Sequence, residues 1–283
     1  MNNTSNIIKR ANQFTHLWTK NEIEFVTNNI KKMSYKEMGA FISRTSPSIQ
    51  SKVRFLPIQQ KVNKYKINQK FFTKWSEPMA YILGFITADG NICRTGNSHM
   101  IQIACDDKDI IEKIKIELSC DTPIQIRSRL NGKSSYQLRF SDKHIYQNLI
   151  KLGITPRKSL TIKPPIKIPH VFINDYIRGF FDGDGSVWIS KRTRQERLVS
   201  VFYTASIKMI KFIFEIIKNN FPLFTGKIQR ILTPKKNRFY YSITLGHRDS
   251  LLLYKYMYKG SKIFSNRKHN IFKKIYDNQF IRA

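Results

Sequence analysis

Two aspartates are the residues of this chain best placed to do chemistry. Asp89 sits near the end of AYILGFITADG at 80–90, and Asp184 near the end of DYIRGFFDGDG at 175–185. Each acid precedes a glycine and closes an apolar run of helical character. A carboxylate at a helix C-terminus faces the negative end of the macrodipole, which disfavours it by about 0.3 to 1 kcal/mol. Two such carboxylates brought together also repel. A divalent cation removes both penalties, and hard oxygen ligands completed by water and a phosphate oxygen suit Mg²⁺. Ions held this way generate an attacking hydroxide and stabilise the leaving 3′ oxygen of a phosphodiester. A lone A-D-G or G-D-G is ordinarily a turn or a helix cap. Two copies on equivalent helices, each opening a strand pair, point instead to one site built from Asp89 and Asp184 with two or more Mg²⁺ ions.

The acids meet only if the helices carrying them pack closely. Residues 79–86 are apolar all round, as suits a helix buried between partners. Gly84 with Ala88, and Gly179 with Gly183, give each helix a small-xxx-small strip along which two backbones can approach. A glycine in a helix interior costs about 1 kcal/mol relative to alanine, which a tight helix contact would justify.

After each acid the periodicity changes from helical to alternating. In the first copy, 124–129 and 136–140 put apolar or small residues on one face and Gln125, Arg127, Arg129, Gln137 and Arg139 on the other, with Asn131-Gly132 suited to the turn. Helices are expected around Ile110, Ile111, Ile114 and Leu118, and at 143–152. The second copy repeats the order. It has strands at 187–190 and 198–203, a helix at 207–218, a hairpin of 226–232 and 239–245, and a helix at 249–258. Each unit thus reads α-β-β-α-β-β-α, and related tripeptides close them, Arg157-Lys158-Ser159 and Arg267-Lys268-His269. In the second hairpin Tyr240, Ser242 and Thr244 form the outer row. Outer rows of Gln, Arg, Ser, Thr and Tyr carry the donors and acceptors that base edges require, and a two-stranded ribbon fits the major groove.

Upstream, 14–56 reads as three short helices. Thr19 with Glu22 and Ser34 with Glu37 are capping boxes, and Ser46 before Pro47 opens the third helix. That helix turns Ile49, Val53 and Leu56 inward and leaves Gln50, Lys52 and Arg54 outside. Residues 57–75 read as a basic linker able to track phosphates, and the proline-rich 164–170 separates the two units. The expected divisions are therefore 1–56, 57–75, 76–163, 164–170 and 171–283.

Charge says what the partner is. Fifty Lys and Arg against nineteen Asp and Glu give a net charge of +31, a polyanion binder's balance. Between 186 and 248, thirteen basic residues face only Glu196 and Glu215. Lys191, Arg192, Arg194, Lys227, Arg230 and Arg238 are accordingly read as DNA contacts. Three cysteines without C-x-x-C spacing support neither a disulfide framework nor a zinc site. The N-terminus lacks a signal-peptide core, and no apolar run is long enough to span a bilayer. A soluble intracellular protein, with no membrane partner, is expected.

ILGFITADG at 82–90 and IRGFFDGDG at 177–185 resemble the two signature helices of the LAGLIDADG homing endonucleases. The resemblance covers about 76 to the C-terminus and corresponds to the single-chain, two-motif members. It implies an α+β fold of two pseudo-symmetric halves forming a DNA-binding saddle over double-stranded DNA. It also implies a monomer and a Mg²⁺-dependent double-strand cut leaving 3′ overhangs. By it Asp89 and Asp184 are metal ligands, and Lys158 and Lys268 are the matched pair for the basic residue each half places near a scissile phosphate. Thr87 stands where a motif acid often lies, and Arg178 interrupts an apolar helix; both read as packing variation. The first 56 residues resemble Myb-like and phage-type helix-turn-helix modules through W-T-x-x-E, S-Y-K-E-M-G-A and R-T-S-P-S-I, which implies a small all-α DNA-binding domain. Met1 and the ending Ile281-Arg282-Ala283 differ from an intein host, so a free-standing or intron-encoded enzyme is expected. Two rival functions share these parts: an RNA maturase acting on its intron RNA, and a non-cutting DNA-binding regulator.

Overall fold

The computed structural model describes residues 17–30, 32–56, 65–128, 132, 134–156, 161–165, 167–191, 195–233 and 238–280. The chain divides into two compact units, Met1–Lys64 and Tyr65–Ala283.

The first unit holds α1 (Lys20–Asn29), α2 (Tyr35–Phe41) and α3 (Ser46–Phe55). Both capping boxes form: Thr19 and Ser34 accept from the backbone of Glu22 and Glu37, whose carboxylates return to the cap backbone. The third helix starts one residue earlier than the sequence suggests. Thr45 caps it through the Ser48 N–H, so Ser46 is already helical. Val26, Met38 and Ile49 form the small core. Trp18 carries the Arg44 guanidinium 4.4 Å from its ring centroid. Arg44 also grips Glu22 from Nε and Nη2, at 2.7 and 3.1 Å. With the Thr19 N–H, this holds the Glu22 carboxyl down to about 2.

The second unit is the duplicated body. Its first half runs α4 (Glu77–Asp89), β1 (Gly90–Thr95), β2 (Ser98–Cys105), α5 (Lys108–Glu117), β3 (Gln125–Ser128), β4 (Ser134–Ser141) and α6 (Lys143–Lys151). The second runs α7 (Ile173–Asp184), β5 (Ser186–Ser190), β6 (Arg197–Thr204), α8 (Ile207–Asn220), β7 (Ile228–Thr233), β8 (Arg238–Leu245) and α9 (His247–Tyr258). Both sheets are antiparallel with matching order, β1-β2-β4-β3 and β5-β6-β8-β7. The protein is therefore α+β: one unit of two α-β-β-α-β-β-α halves and one small all-α unit. The sequence reading lacked a closing helix, α10 (Asn266–Phe280).

One face of each sheet is covered by helices. Ile101, Ile103, Leu138 and Phe140 of the first sheet, and Leu198, Phe202, Ile243 and Leu245 of the second, all lie in a single core with α4 and α7. Residues 65–75, read as linker, belong to this body: Lys66 N–H donates to Asp121 at 2.7 Å, Asn68 N–H to the Leu118 carbonyl at 2.9 Å, and Phe72 is buried. No helix among the described residues is long and apolar enough to cross a membrane.

Candidate active site and nucleic-acid face

The site starts from glycine. Helices α4 and α7 pack so closely that a Cβ on Gly84 would strike the Tyr176 carbonyl oxygen and lie 2.9 Å from the Phe180 nitrogen. A Cβ on Gly179 would strike the Tyr81 carbonyl oxygen and lie 2.9 Å from the Phe85 nitrogen. At the C-terminal end, a Cβ on Gly183 would run into the Ala88 side chain and lie 3.7 Å from Asp89 Oδ2. All four predicted interface residues thus line one seam, and Asp89 is set against the residue that precedes Asp184. Asp89 is exposed and Asp184 half-buried.

The end of α7 is held by Lys268 of α10. Expected to face a phosphate, Lys268 is instead buried, and its ammonium donates to the carbonyls of Phe181, Asp182 and Gly185 at 2.8, 2.8 and 2.6 Å. A cation at a helix C-terminus satisfies orphan carbonyls and offsets the dipole. Lys268 is therefore a positioning residue for the turn that carries Asp184. Burial pushes its pKa down, against the pull of Asp182. Its partner Lys158 lies outside the described residues.

Asp182 anchors the same turn from within. It accepts from the Tyr81 and Tyr258 hydroxyls, both at 2.7 Å, and from the Ser265 N–H at 2.8 Å. Burial pushes its carboxyl up, opposed first by Lys268 and then by these donors. Both tyrosines are pushed well up, by burial and then by the Asp182 charge, so they remain donors. Arg178, read as packing variation, is the largest fully buried side chain and an ionic node. It reaches Asp175 at 2.7 Å, Glu77 at 3.1 Å, and the Met257 and Ile263 carbonyls at 2.7 and 3.0 Å.

Two further groups lie near the helix ends, Cys105 within the charge of Asp89 and Arg267 within that of Asp182. Burial raises the Cys105 thiol to about 11, with the charges of Asp107 and Asp89 adding to it. At neutral pH it therefore stays protonated. Arg267 is largely exposed and held by Asp107 at 2.8 Å. Burial would raise Asp107, but the Arg267 contact, the Ser265 hydroxyl and the Lys268 charge together outweigh it and the carboxyl lies below its ordinary value. Among the described residues no group of three or more His, Cys, Asp or Glu could hold a metal. Asp89 and Asp184 instead offer two hard oxygen ligands at neighbouring helix ends, a donor set that fits Mg²⁺ completed by water and substrate oxygens.

Register sorts the proposed base contacts by face, since residues directly opposite in a ladder share one. In the first sheet Asn91, Gln102 and Arg139 lie in one cross-strand row, Ala104, Gln137 and Gln125 in the next, then Ser135 with Arg127. All lie on the face opposite the helix-covered core. Gln125, Arg127 and Arg139 are exposed there, as expected. Gln137 is not: it is buried, with neither amide atom hydrogen-bonded. In the second sheet Thr244 is exposed and Tyr240 half-buried, whereas Ser242, opposite Tyr203 and Gln229, is buried. Gln137 and Ser242 thus sit buried in central strands and are unavailable as direct contacts. Lys191, Lys227 and Arg238 are exposed. Arg230 pairs with Tyr241, hence on the other face, and its guanidinium lies 3.5 Å from the Phe239 ring centroid. Arg129, Arg192 and Arg194 lie outside the described residues. In α3, Gln50 and Arg54 are exposed, while Lys52 folds back 5.7 Å from the Trp18 centroid.

The reading of the sequence missed Asn91 and Gln102, although Asn91-Ile92 and Ile101-Gln102-Ile103 carry the strand alternation that reveals them. It missed Asp182 and Asp107 because their partners are distant in sequence: Tyr81, Tyr258 and Ser265 for Asp182, and Ser265 and Arg267 for Asp107.

No protein-family model matches the chain. An uncharacterized protein of Methanocaldococcus jannaschii is 28% identical over 121 residues, 41% of this chain and 44% of the relative. The match thus spans less than half the length of that relative. Among solved structures, the homing endonuclease I-WcaI bound to its DNA recognition sequence aligns with TM-score 0.49 and 15% identity, covering 78% of this chain and 97% of that one. The meganuclease I-SmaMI bound to uncleaveable DNA aligns with TM-score 0.47 and 13% identity, covering 72% and 91%. The LAGLIDADG homing endonuclease I-LtrWI bound to target DNA aligns with TM-score 0.45 and 14% identity, covering 76% and 92%.

Proposed function

We propose that this chain is a site-specific homing endonuclease of the LAGLIDADG type that cuts both strands of a long DNA duplex in a Mg²⁺-dependent reaction, leaving 3′ overhangs. One observation carries the reading: the glycine seam that sets Asp89 against Gly183 and so beside Asp184. Two helices give up about 1 kcal/mol of propensity at Gly84 and again at Gly179 for a contact whose end is a pair of acids. A structural role alone does not call for carboxylates there, because the dipole of each helix opposes them.

The bound cation would supply an activated water and neutralise charge on the leaving oxygen. Asp89 and Asp184 would be its ligands, one from each half, so that one site serves both strands. Lys268 and Asp182 fix the backbone on which Asp184 rides. Arg267, held by Asp107 beside this turn, offers an exposed cation to a phosphate. The sheet faces would grip the duplex on both sides, with base edges read by Arg127, Arg139, Asn91 and Gln102 and phosphates met by Lys191, Lys227 and Arg238. The three-helix unit would add a helix-turn-helix contact through Gln50 and Arg54, lengthening the footprint.

Asp184→Asn tests the assignment. On a duplex selected by the unsubstituted protein, the variant should bind within a few-fold of normal and lose cleavage by about 10²-fold or more, the scale for removing one electrostatic group at a reacting centre. Cleavage at the normal rate would refute it.

A further inference from the structure

The two sheets share topology and register, so their free faces can be compared position by position. Asn91 lies opposite Gln102, and Ser186 opposite Val201; Gln125 lies opposite Gln137, and Gln229 opposite Ser242. With those anchors, Arg139 matches Thr244, Arg127 matches Ile231, Cys93 matches Trp188 and Ala104 matches Tyr203. The chemistry at the matched positions differs. The first sheet presents exposed guanidiniums at Arg127 and Arg139 and an exposed amide at Asn91. The second presents Trp188, Tyr203 and Ile231, which are 43, 37 and 43% exposed, with the Thr244 hydroxyl and methyl between strands.

Trp188, Tyr203 and Ile231 stand on three separate cross-strand rows, so they are spaced along one sheet face and each could meet a different base pair. The surroundings of this face are cationic: Lys191, Arg197 and Arg238 are exposed around it, and Glu196 and Glu215 are the only acids between 186 and 248. A partner that is apolar in contact and anionic in outline is a duplex whose groove displays methyl groups. Thymine alone of the four bases carries a methyl group in the major groove, at C5, and apolar side chains recognise it, whereas Arg and Asn pair with the acceptor and donor edges of purines.

Building on the endonuclease reading, we infer that the two halves recognise their half-sites by different chemistry. The first sheet reads purine edges by hydrogen bonding, and the second takes a thymine-rich half-site through its methyl groups. The target is then asymmetric in composition as well as in sequence, with the A·T-rich arm under β5 to β8.

The test uses the full chain and duplexes selected by it from a random pool. Arg139→Ala identifies the arm under the first sheet as the one whose consensus it relaxes. Replacing thymine by uracil, which removes only the methyl group, should then weaken binding about fourfold per contacted base in the opposite arm, the equivalent of about one buried methyl. In the first arm the change should stay under about twofold. Ile231→Arg should abolish the uracil effect at one position and shift the base selected there toward guanine. Equal uracil responses in the two arms, or none, overturn the inference while leaving the endonuclease reading intact. Tighter binding of single strands than of duplex through Trp188 overturns it in favour of a base-stacking platform. Failure to select any duplex overturns both readings.

Discussion

Replacing Gly179 by alanine separates the contribution of the helix seam from that of the acids it delivers. On an isolated helix the change would add about 1 kcal/mol of stability, because alanine is the better helix former. Here the new Cβ lands on the Tyr81 carbonyl oxygen, 2.8 Å from the Tyr81 carbonyl carbon and 2.9 Å from the Phe85 nitrogen. Ordinary contacts between carbon atoms lie at about 3.5 to 4.0 Å, and main-chain atoms cannot rotate aside, so α4 and α7 must part by about 1 Å. Overpacking a close-packed core costs about 1 to 3 kcal/mol. With two backbone obstacles the cost belongs at the upper end, which leaves a net loss of about 2 kcal/mol after the propensity gain. Activity should fall further than stability implies, since a misplacement of about 1 Å at a reacting centre costs about 10²-fold. The measurements are urea midpoints and single-turnover cleavage on a selected duplex. Gly246→Ala is the control, because nothing lies within 4 Å of a Cβ added there. A Gly179→Ala protein with unchanged midpoint and cleavage would refute the claim that the seam makes the site.

Arg178→Met should cost about 3 to 5 kcal/mol in urea unfolding, because it leaves Asp175 buried without its ion-pair partner; adding Asp175→Asn should recover part of that loss. The Glu22 pair sets an acid limit on the first unit. Its folded pKa is about 2 against an ordinary 4.5, so its contribution is full above pH 4.5 and vanishes as pH falls through about 2. For this half-buried pair at the edge of a small unit that contribution is about 1 kcal/mol, seen as hydrogen-exchange protection in α1 that declines over this window and is already absent in Arg44→Ala.

The sequence displayed what repeats and what alternates. Two apolar runs ending in A-D-G and G-D-G carry their own spacing, so the helices, the seam of Gly84, Ala88, Gly179 and Gly183, and the α-β-β-α-β-β-α order were all legible. Local capping was legible too, because Thr19 with Glu22 and Ser34 with Glu37 close hydrogen bonds within three residues. What could not be read are partnerships between distant segments. Arg178 looked like an intruder on an apolar helix because its carbonyl partners, Met257 and Ile263, lie 79 and 85 residues away. Lys268 looked like a free cation because nothing local marks the carbonyls it caps. Gln137 and Ser242 alternate correctly with their neighbours, but period two gives the face of a residue and not how deeply larger side chains cover it.

The duplication is unequal where the helices end, and the inequality explains α10. Thr87 and Asp182 occupy matching motif positions. The Thr87 hydroxyl is satisfied within its own helix by the Leu83 carbonyl at 2.7 Å. Asp182 has no such local solution, since a carboxylate cannot donate to a carbonyl, and Arg178 finds only Asp175 in its own helix and needs further acceptors for its remaining N–H groups. A buried ionised group without partners costs far more than one helix can offset. The second half therefore carries an extra segment, 259–280, that delivers the Ser265 N–H and the Lys268 ammonium to the end of α7 and the Ile263 carbonyl to Arg178. The same segment turns Arg267 outward, where Asp107 holds it. Polar residues inside α7 and the added helix are thus one device: the first require the second, and with Tyr81 and Glu77 from the first half they hold the turn that carries Asp184.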